Sequence, residues 1–219
     1  MDFEKARFNM VEQQIRPWDV LDMNILDLLF EVKRELFVPA GKRDLAFVDT
    51  QLPLPNGTFM LEPKVEARLV QDLEIKPNDR ILEIGTGTGY VTALLAKLGR
   101  EVVSIEIDPA MKAQAEKNLE SAGVDNVELL EGNGLEGAPS KAPFDVILVG
   151  GSVPVVPEKL KAQLAVGGRM AAIVGEEPVM RALIVRRENE TAFGQSTSFD
   201  TSIARLTRAE ELEPASFTF

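Results

Sequence analysis

Between residues 80 and 175 the β-branched runs RILEI, EVVSIEI, NVELLE, FDVILVG and GRMAAIVG are separated by helix-length segments. Apolar runs of strand length without polar alternation read as parallel strands buried on both faces, and parallel neighbours need crossover connections. The pattern predicts an α/β fold built on a doubly wound, mostly parallel sheet. ALIVRR and the SFDTSIARL region follow without a long helix between them, which predicts late strands forming an antiparallel edge pair. Upstream, Leu21, Ile25, Leu28, Leu29, Val32 and Leu36 recur at helical spacing. They predict a helix over 21–36, preceded by a shorter one over 3–15. Pro63 opens a third helix, whose buried face is Val65, Leu69, Val70 and Leu73. We therefore expect residues 1–75 to supply N-terminal helices joined by an irregular loop, as part of the same domain as a 76–219 core.

The first run leads into ILEIGTGTGY, residues 81–90, and then a helix. A strand that ends in glycines at a helix N-terminus presents backbone N–H groups and the positive end of the helix dipole to a ligand. Dinucleotide sites space their glycines G-x-G-x-x-G, whereas Gly85, Thr86, Gly87 and Gly89 belong to a G-x-G-x-G run. Glu83, two residues earlier, adds negative charge where a diphosphate would lie and suits a ligand with an ammonium group. Glu106 ends the second run about 20 residues on, where an acid accepts hydrogen bonds from ribose hydroxyls. A ribose, an amino-acid tail and no phosphate together describe S-adenosylmethionine, whose tail the glycines let approach the backbone. Asn133-Gly134, after the third run, reads equally as a contact to the adenine amino group or as a plain Asn-Gly turn.

Cysteine and histidine are both absent from the chain. Disulfides, thiolate nucleophiles, Ser-His-Asp triads and ordinary imidazole metal sites are thereby excluded. No carboxylate cluster has ligand spacing, so no metal is expected. A net charge of -11 without a Lys/Arg-rich run repels a polyanion, and nucleic acid is not an expected partner. No apolar run approaches the ~18 residues of a membrane span, and the N-terminus lacks a signal-peptide pattern. The expectation is a cytoplasmic protein without a membrane partner; its oligomeric state is not legible.

The segments MVEQQIRPWDVLD, RELFVPA, AFVDTQLPL, LEIGTGTGYVTALLA, PFDVILVG and QLAVGGRM, in that order, resemble those of protein-L-isoaspartate O-methyltransferases. The resemblance implies a Rossmann-like S-adenosylmethionine-dependent methyltransferase fold with an N-terminal helical extension. It also implies methyl transfer to a carboxylate of isoaspartyl or D-aspartyl residues in damaged proteins. By this matching, Glu83, Gly85, Gly87, Gly89 and Glu106 fall on the family's cofactor positions, and Asp49 on the acid of its A-Y-x-D loop. Phe47 replaces the Tyr of that loop, and Asn133 replaces an Asp that receives the adenine amino group; Asn still accepts through its carbonyl. The segment GTFMLEP, residues 57–63, departs furthest: Leu61 falls on the family's active-site Ser and Glu62 on a Gln. Thr58 is the nearest hydroxyl in sequence and, with Asp49, the expected catalytic residue.

A carboxylate of pKa ~4 is already ionised at neutral pH, so its methylation needs no general base and the missing histidine is no obstacle. Alignment of two reactants alone contributes ~7–11 kcal/mol in favourable cases. A hydroxyl or amine acceptor would need deprotonation, for which Asp49 or Glu62 is available. Leu61 and Glu62 make the pocket more apolar and more acidic. Two alternatives therefore stay open: a methyltransferase of the same scaffold with another, unidentified acceptor, and a non-catalytic S-adenosylmethionine-binding protein.

Overall fold

The structure is a computed structural model describing residues 1–212; the last seven residues of the 76–219 range lie outside the described residues. The N-terminal part is a series of short helical pieces and a hairpin. Helix α1 (Phe3–Met10) is capped by Asp2, passes through a π turn at Val11–Ile15 and ends in a 3-10 turn at Arg16–Trp18. Helix α2 covers Met23–Glu31, less than the 21–36 span predicted. Asp22 starts it by accepting the Asn24 amide at 2.8 Å, and Val32 is already extended at φ -86, ψ 100. Tertiary bonding overrides the apolar repeat here. Arg34, buried in the next 3-10 turn, donates to Ala46 O (2.9 Å) and Leu61 O (2.7 Å) and ion-pairs with Glu66. Leu36 is left 46% exposed.

The loop that follows contains a hairpin that the sequence does not announce, β1 (Leu52–Pro53) antiparallel to β2 (Phe59–Met60). Gly57 turns it at φ +83, a conformation that side chains resist. Helix α3 (Pro63–Asp72) begins at Pro63 as predicted and buries Val65, Leu69 and Val70, with Leu73 just beyond its end.

Alternation then takes over: β3 (Arg80–Ile84), α4 (Tyr90–Leu98), β4 (Glu101–Glu106), α5 (Pro109–Ser121), β5 (Val127–Glu131), β6 (Phe144–Val153), α6 (Glu158–Lys161), β7 (Leu164–Glu176), β8 (Val179–Arg187) and β9 (Phe193–Thr201). These strands form one sheet in the order β5-β4-β3-β6-β7-β8-β9. β3 to β7 are parallel, and β8 and β9 add the expected antiparallel edge. Because β9 ends at Thr201, the second half of the SFDTSIARL run is not strand, contrary to the sequence expectation. Successive side chains fill opposite faces. Ile81 and Val146 pack with Leu26, Val65 and Leu94, joining the N-terminal helices to the sheet, while Leu82 and Ile147 pack with Leu160 on the other side. No described helix is long and apolar enough to cross a membrane. β3 lies between β4 and β6, the point where the chain reverses its direction of progress across the sheet and where α/β folds open a crevice at the carboxyl ends of the strands.

Candidate active site

At the carboxyl end of β3 the chain turns into α4 through residues 85–89. Gly85, Gly87 and Gly89 adopt φ of +87, +55 and +86, which explains why glycine stands at all three. The amides of this loop are not all free for a ligand, as the sequence suggests. Gly85 N donates to Ile105 O at 2.9 Å and Gly87 N to Glu106 Oε2 at 2.8 Å, tying the loop to β4. Glu106 Oε1 accepts the Asp108 amide at 3.0 Å. An ionised carboxylate has about four lone-pair sites, so Glu106 keeps accepting capacity.

Glu83, 1% exposed, sits beneath the loop. Its Oε2 accepts hydrogen bonds from Thr92 (2.5 Å) and Ser104 (2.6 Å), and the Ser104 hydroxyl also meets Thr86 Oγ1 at 2.6 Å. Burial pushes its pKa up to about 7; the Ser104 and Thr92 hydroxyls pull it back, and the nearby Glu106 charge adds to the rise. A carboxyl balanced near neutrality ionises readily when a cation arrives.

Two adjoining clefts, about 630 Å³ and 490 Å³ counted to their open mouths, lie over the loop and share Phe59, Leu61, Gly85, Gly87 and Gly150. The larger extends to Glu106, Ile107 and Gly134, the smaller to Glu83 and Glu66. Gly134 stands so close to β3 that a Cβ would lie 2.3 Å from Ile84 Cγ2. The far wall is a strap, residues 202–207, that leaves β9 and returns to the middle of the sheet. Ser152 holds it: Ser152 N donates to Ala204 O (3.0 Å), Leu206 N to Ser152 O (2.9 Å), and Ser152 Oγ to Ile203 O (3.1 Å). Gln51 holds it from the other side, donating to Ser202 O (3.2 Å) and accepting from Ala204 N (3.1 Å), and its amide also donates to Glu62 Oε1 (3.2 Å). Sequence reasoning missed the strap, Ser152 and Gln51. The signal available was Gly150-Gly151 at the end of a β-branched run, a mark of close backbone approach; a Cβ on Gly151 would stand 2.9 Å from Leu206 Cα.

Thr58, Glu83, Gly85, Thr86, Gly87, Glu106 and Gly134 of the expected site line these clefts. Gly89 instead packs against α5, where a Cβ would stand 3.2 Å from Leu119 Cγ. Asn133 acts as a turn cap: its Oδ1 accepts from Leu135 N at 3.1 Å and its Nδ2 donates to Glu211 at 3.2 Å. Asp49 lies outside both cleft walls, ion-paired to Lys64 at 2.7 Å. The Thr58 hydroxyl bonds Asn56 Oδ1 at 2.7 Å. Leu61 is buried and forms wall in both clefts, and Glu62 Oε2 is buried without a hydrogen-bond partner among the described residues. No group of three acidic residues among the described residues is placed to hold a metal ion.

The sequence model of the Protein-L-isoaspartate(D-aspartate) O-methyltransferase family matches residues 5–210. This chain belongs to that family. A family protein from Methanoculleus marisnigri, named protein-L-isoaspartate O-methyltransferase, is 40% identical over 185 residues, 84% of this chain and 84% of that one. A solved structure described as a protein-L-isoaspartate O-methyltransferase superposes with a TM-score of 0.79 at 25% identity, over 94% of this chain and 66% of that one. This chain therefore spans about two thirds of that solved chain's length. A Plasmodium falciparum chain, solved in complex with S-adenosyl-L-homocysteine, superposes with a TM-score of 0.77 at 20% identity, over 95% of this chain and 99% of that one. The fold is the Rossmann-like S-adenosylmethionine-dependent methyltransferase fold of the family, with the helical N-terminal extension packed on one face of the sheet.

Proposed function

We propose that this chain is a protein-L-isoaspartate (D-aspartate) carboxyl O-methyltransferase that acts on isoaspartyl-containing proteins in repair. One observation carries the reading. In a chain that the family matches over residues 5–210, the glycine loop with Glu83 and Glu106 opens into the same pair of clefts as Thr58, Leu61 and the strap. A cofactor end and an acceptor end are thus continuous.

The residues fit S-adenosylmethionine. Glu106 has spare lone pairs for ribose hydroxyls, Gly134 forms cleft wall while packed tightly on Ile84, and Glu83 supplies negative charge below Gly85, Thr86 and Gly87. Gly89 serves by letting α4 pack closely, and Asn133 by shaping the turn that presents Gly134. S-adenosylmethionine, when bound there, would supply an electrophilic methyl group to an acceptor oxygen. Leu61, Phe59 and Leu206 keep water from the acceptor end, which strengthens every charge interaction inside it. The strap walls the end of the cleft where the carboxylate would lie, and no base is needed. Asp49 acts at one remove, holding Lys64 at the start of α3. Residues 1–75 form the acceptor side of one domain with the core that begins at residue 76.

A second reading keeps the scaffold and changes the acceptor. Leu61 offers no hydrogen bond to a carboxylate, and Glu62, expected to make the pocket more acidic, lines neither cleft. Transfer of labelled methyl to an isoaspartyl peptide and to its normal aspartyl twin, counted as base-released methanol, separates the two. Selective transfer to the isoaspartyl peptide is expected. No transfer, with S-adenosylhomocysteine binding shown by calorimetry in the same preparation, would sink the first reading in favour of the second or of a binding role.

A further inference from the structure

The two ends of the larger cleft differ in charge. Of the residues that line it, Glu106 alone is acidic and Arg205 alone is basic. The smaller cleft adds Glu83 and Glu66 and no cation. On a chain of net charge -11, an anionic acceptor entering these clefts finds Arg205 as the one cation in their walls. Other cations nearby are committed, Lys64 to Asp49 and the buried Arg34 to Glu66. The two neutral groups expected to hold a carboxylate have little to offer, since Leu61 carries no donor and the Thr58 hydroxyl already bonds Asn56.

Arg205 is placed and unspent. Its backbone neighbours Ala204 and Leu206 are both hydrogen-bonded to Ser152, which fixes where the side chain starts. A guanidinium has five N–H donors. Here Nη1 donates to Gly175 O at 2.7 Å, and Nη2 lies 3.8 Å from a Glu176 carboxylate that is 72% exposed. An ion pair that long and that solvated holds an arginine weakly. The Arg205 side chain is itself 35% exposed, at the rim between the strap and the end of β7.

We propose that Arg205 binds the acceptor carboxylate of the isoaspartyl residue, the role that a hydroxyl at position 61 does not fill. The proposal rests on the isoaspartyl reading above. Arg205 can hold the carboxylate oxygen that is not methylated, and that contact persists into the transition state. Arg205 therefore lowers KM for the acceptor and leaves kcat nearly untouched.

Arg205→Gln tests this, because glutamine keeps a donor for the Gly175 carbonyl and removes the charge. Three quantities are read on the wild type and the variant: steady-state kinetics with an isoaspartyl peptide, calorimetric Kd of that peptide with S-adenosylhomocysteine present, and Kd of S-adenosylhomocysteine alone. The expected result is a rise of about tenfold in peptide KM and Kd, with kcat within about twofold and S-adenosylhomocysteine affinity unchanged. Arg205→Lys should recover part of the loss, and the rise of KM with salt should flatten in the glutamine variant. An active wild type beside a variant with unchanged KM and peptide Kd would overturn the proposal alone. So would loss of S-adenosylhomocysteine affinity with earlier melting, which would make Arg205 a clip for the strap. A wild type that methylates no isoaspartyl peptide removes the underlying reading and this one with it.

Discussion

At the scale of single residues Glu83 is under opposing demands, because a ligand cation favours its charge and its burial opposes it. Its pKa, pushed up to about 7, means that the folded protein holds a proton there over a pH range in which the unfolded chain has lost it. Its contribution to stability is therefore greatest below the ordinary carboxylate range, falls as pH rises from there to about 7, and is level above. Glu83→Gln retains an oxygen for Thr92 and Ser104 and removes the buried charge. Thermal melts should show the variant more stable than wild type at pH 8, by on the order of 1–3 kcal/mol, with the gap closing towards pH 4. A variant that melts lower at pH 8 would mean that the two hydroxyl bonds outweigh burial. The same variant should bind S-adenosylhomocysteine more weakly, measured by calorimetry. The turn made by the three glycines is legible in the sequence, because positive φ leaves glycine little competition. Asn133 is not, since one side chain serves a cap or a ligand equally well. Nor is Asp49, whose pairing with Lys64 depends on how the intervening hairpin folds.

Among the elements, the sheet is legible because burial on both faces writes itself as continuous β-branched runs. Helix α2 is read too long, as nothing in its apolar repeat shows that Arg34 must turn inward. The strap is illegible for a different reason: it has no period of its own and is held by backbone groups and by Gln51, a residue 151 positions from Ser202. Gln51→Ala removes three hydrogen bonds that join the strap to the loop and to Glu62. We expect trypsin to cleave after Arg205 or Arg208 several-fold faster in this variant, following the rise in local opening, and peptide KM to rise with it. Equal cleavage rates would show that Ser152 alone seats the strap.

Over the whole molecule, Arg34 is where the N-terminal helices, the loop at Ala46, the wall residue Leu61 and α3 meet. Burial pushes its partner Glu66 up from the usual carboxylate range, and the Arg34 guanidinium opposes that rise. Arg34→Met would leave that acid and two carbonyls unpaired, a loss of about 3–5 kcal/mol. Denaturant melts should show this as a single shifted transition, since one apolar cluster runs from Met10 through α3 to the sheet. Two separate transitions would contradict that unity. The sheet's outer edge carries one more consequence. β9 contains a bulge: Phe199 faces Ala182 and Thr197 faces Leu183, leaving Ser198 as an extra residue, whose hydroxyl donates to Asp72 of α3. The strap begins directly after this strand, so the outermost strand works as a ruler. Its residue count decides which side chain arrives over Gly151. Shortened by one residue between 193 and 201, the ruler would deliver Thr207 where Leu206 now rests and shift Arg205 by one place. Which acceptor this site prefers is in that sense measured out at the far margin of the protein, by counting along a strand that touches no reactant.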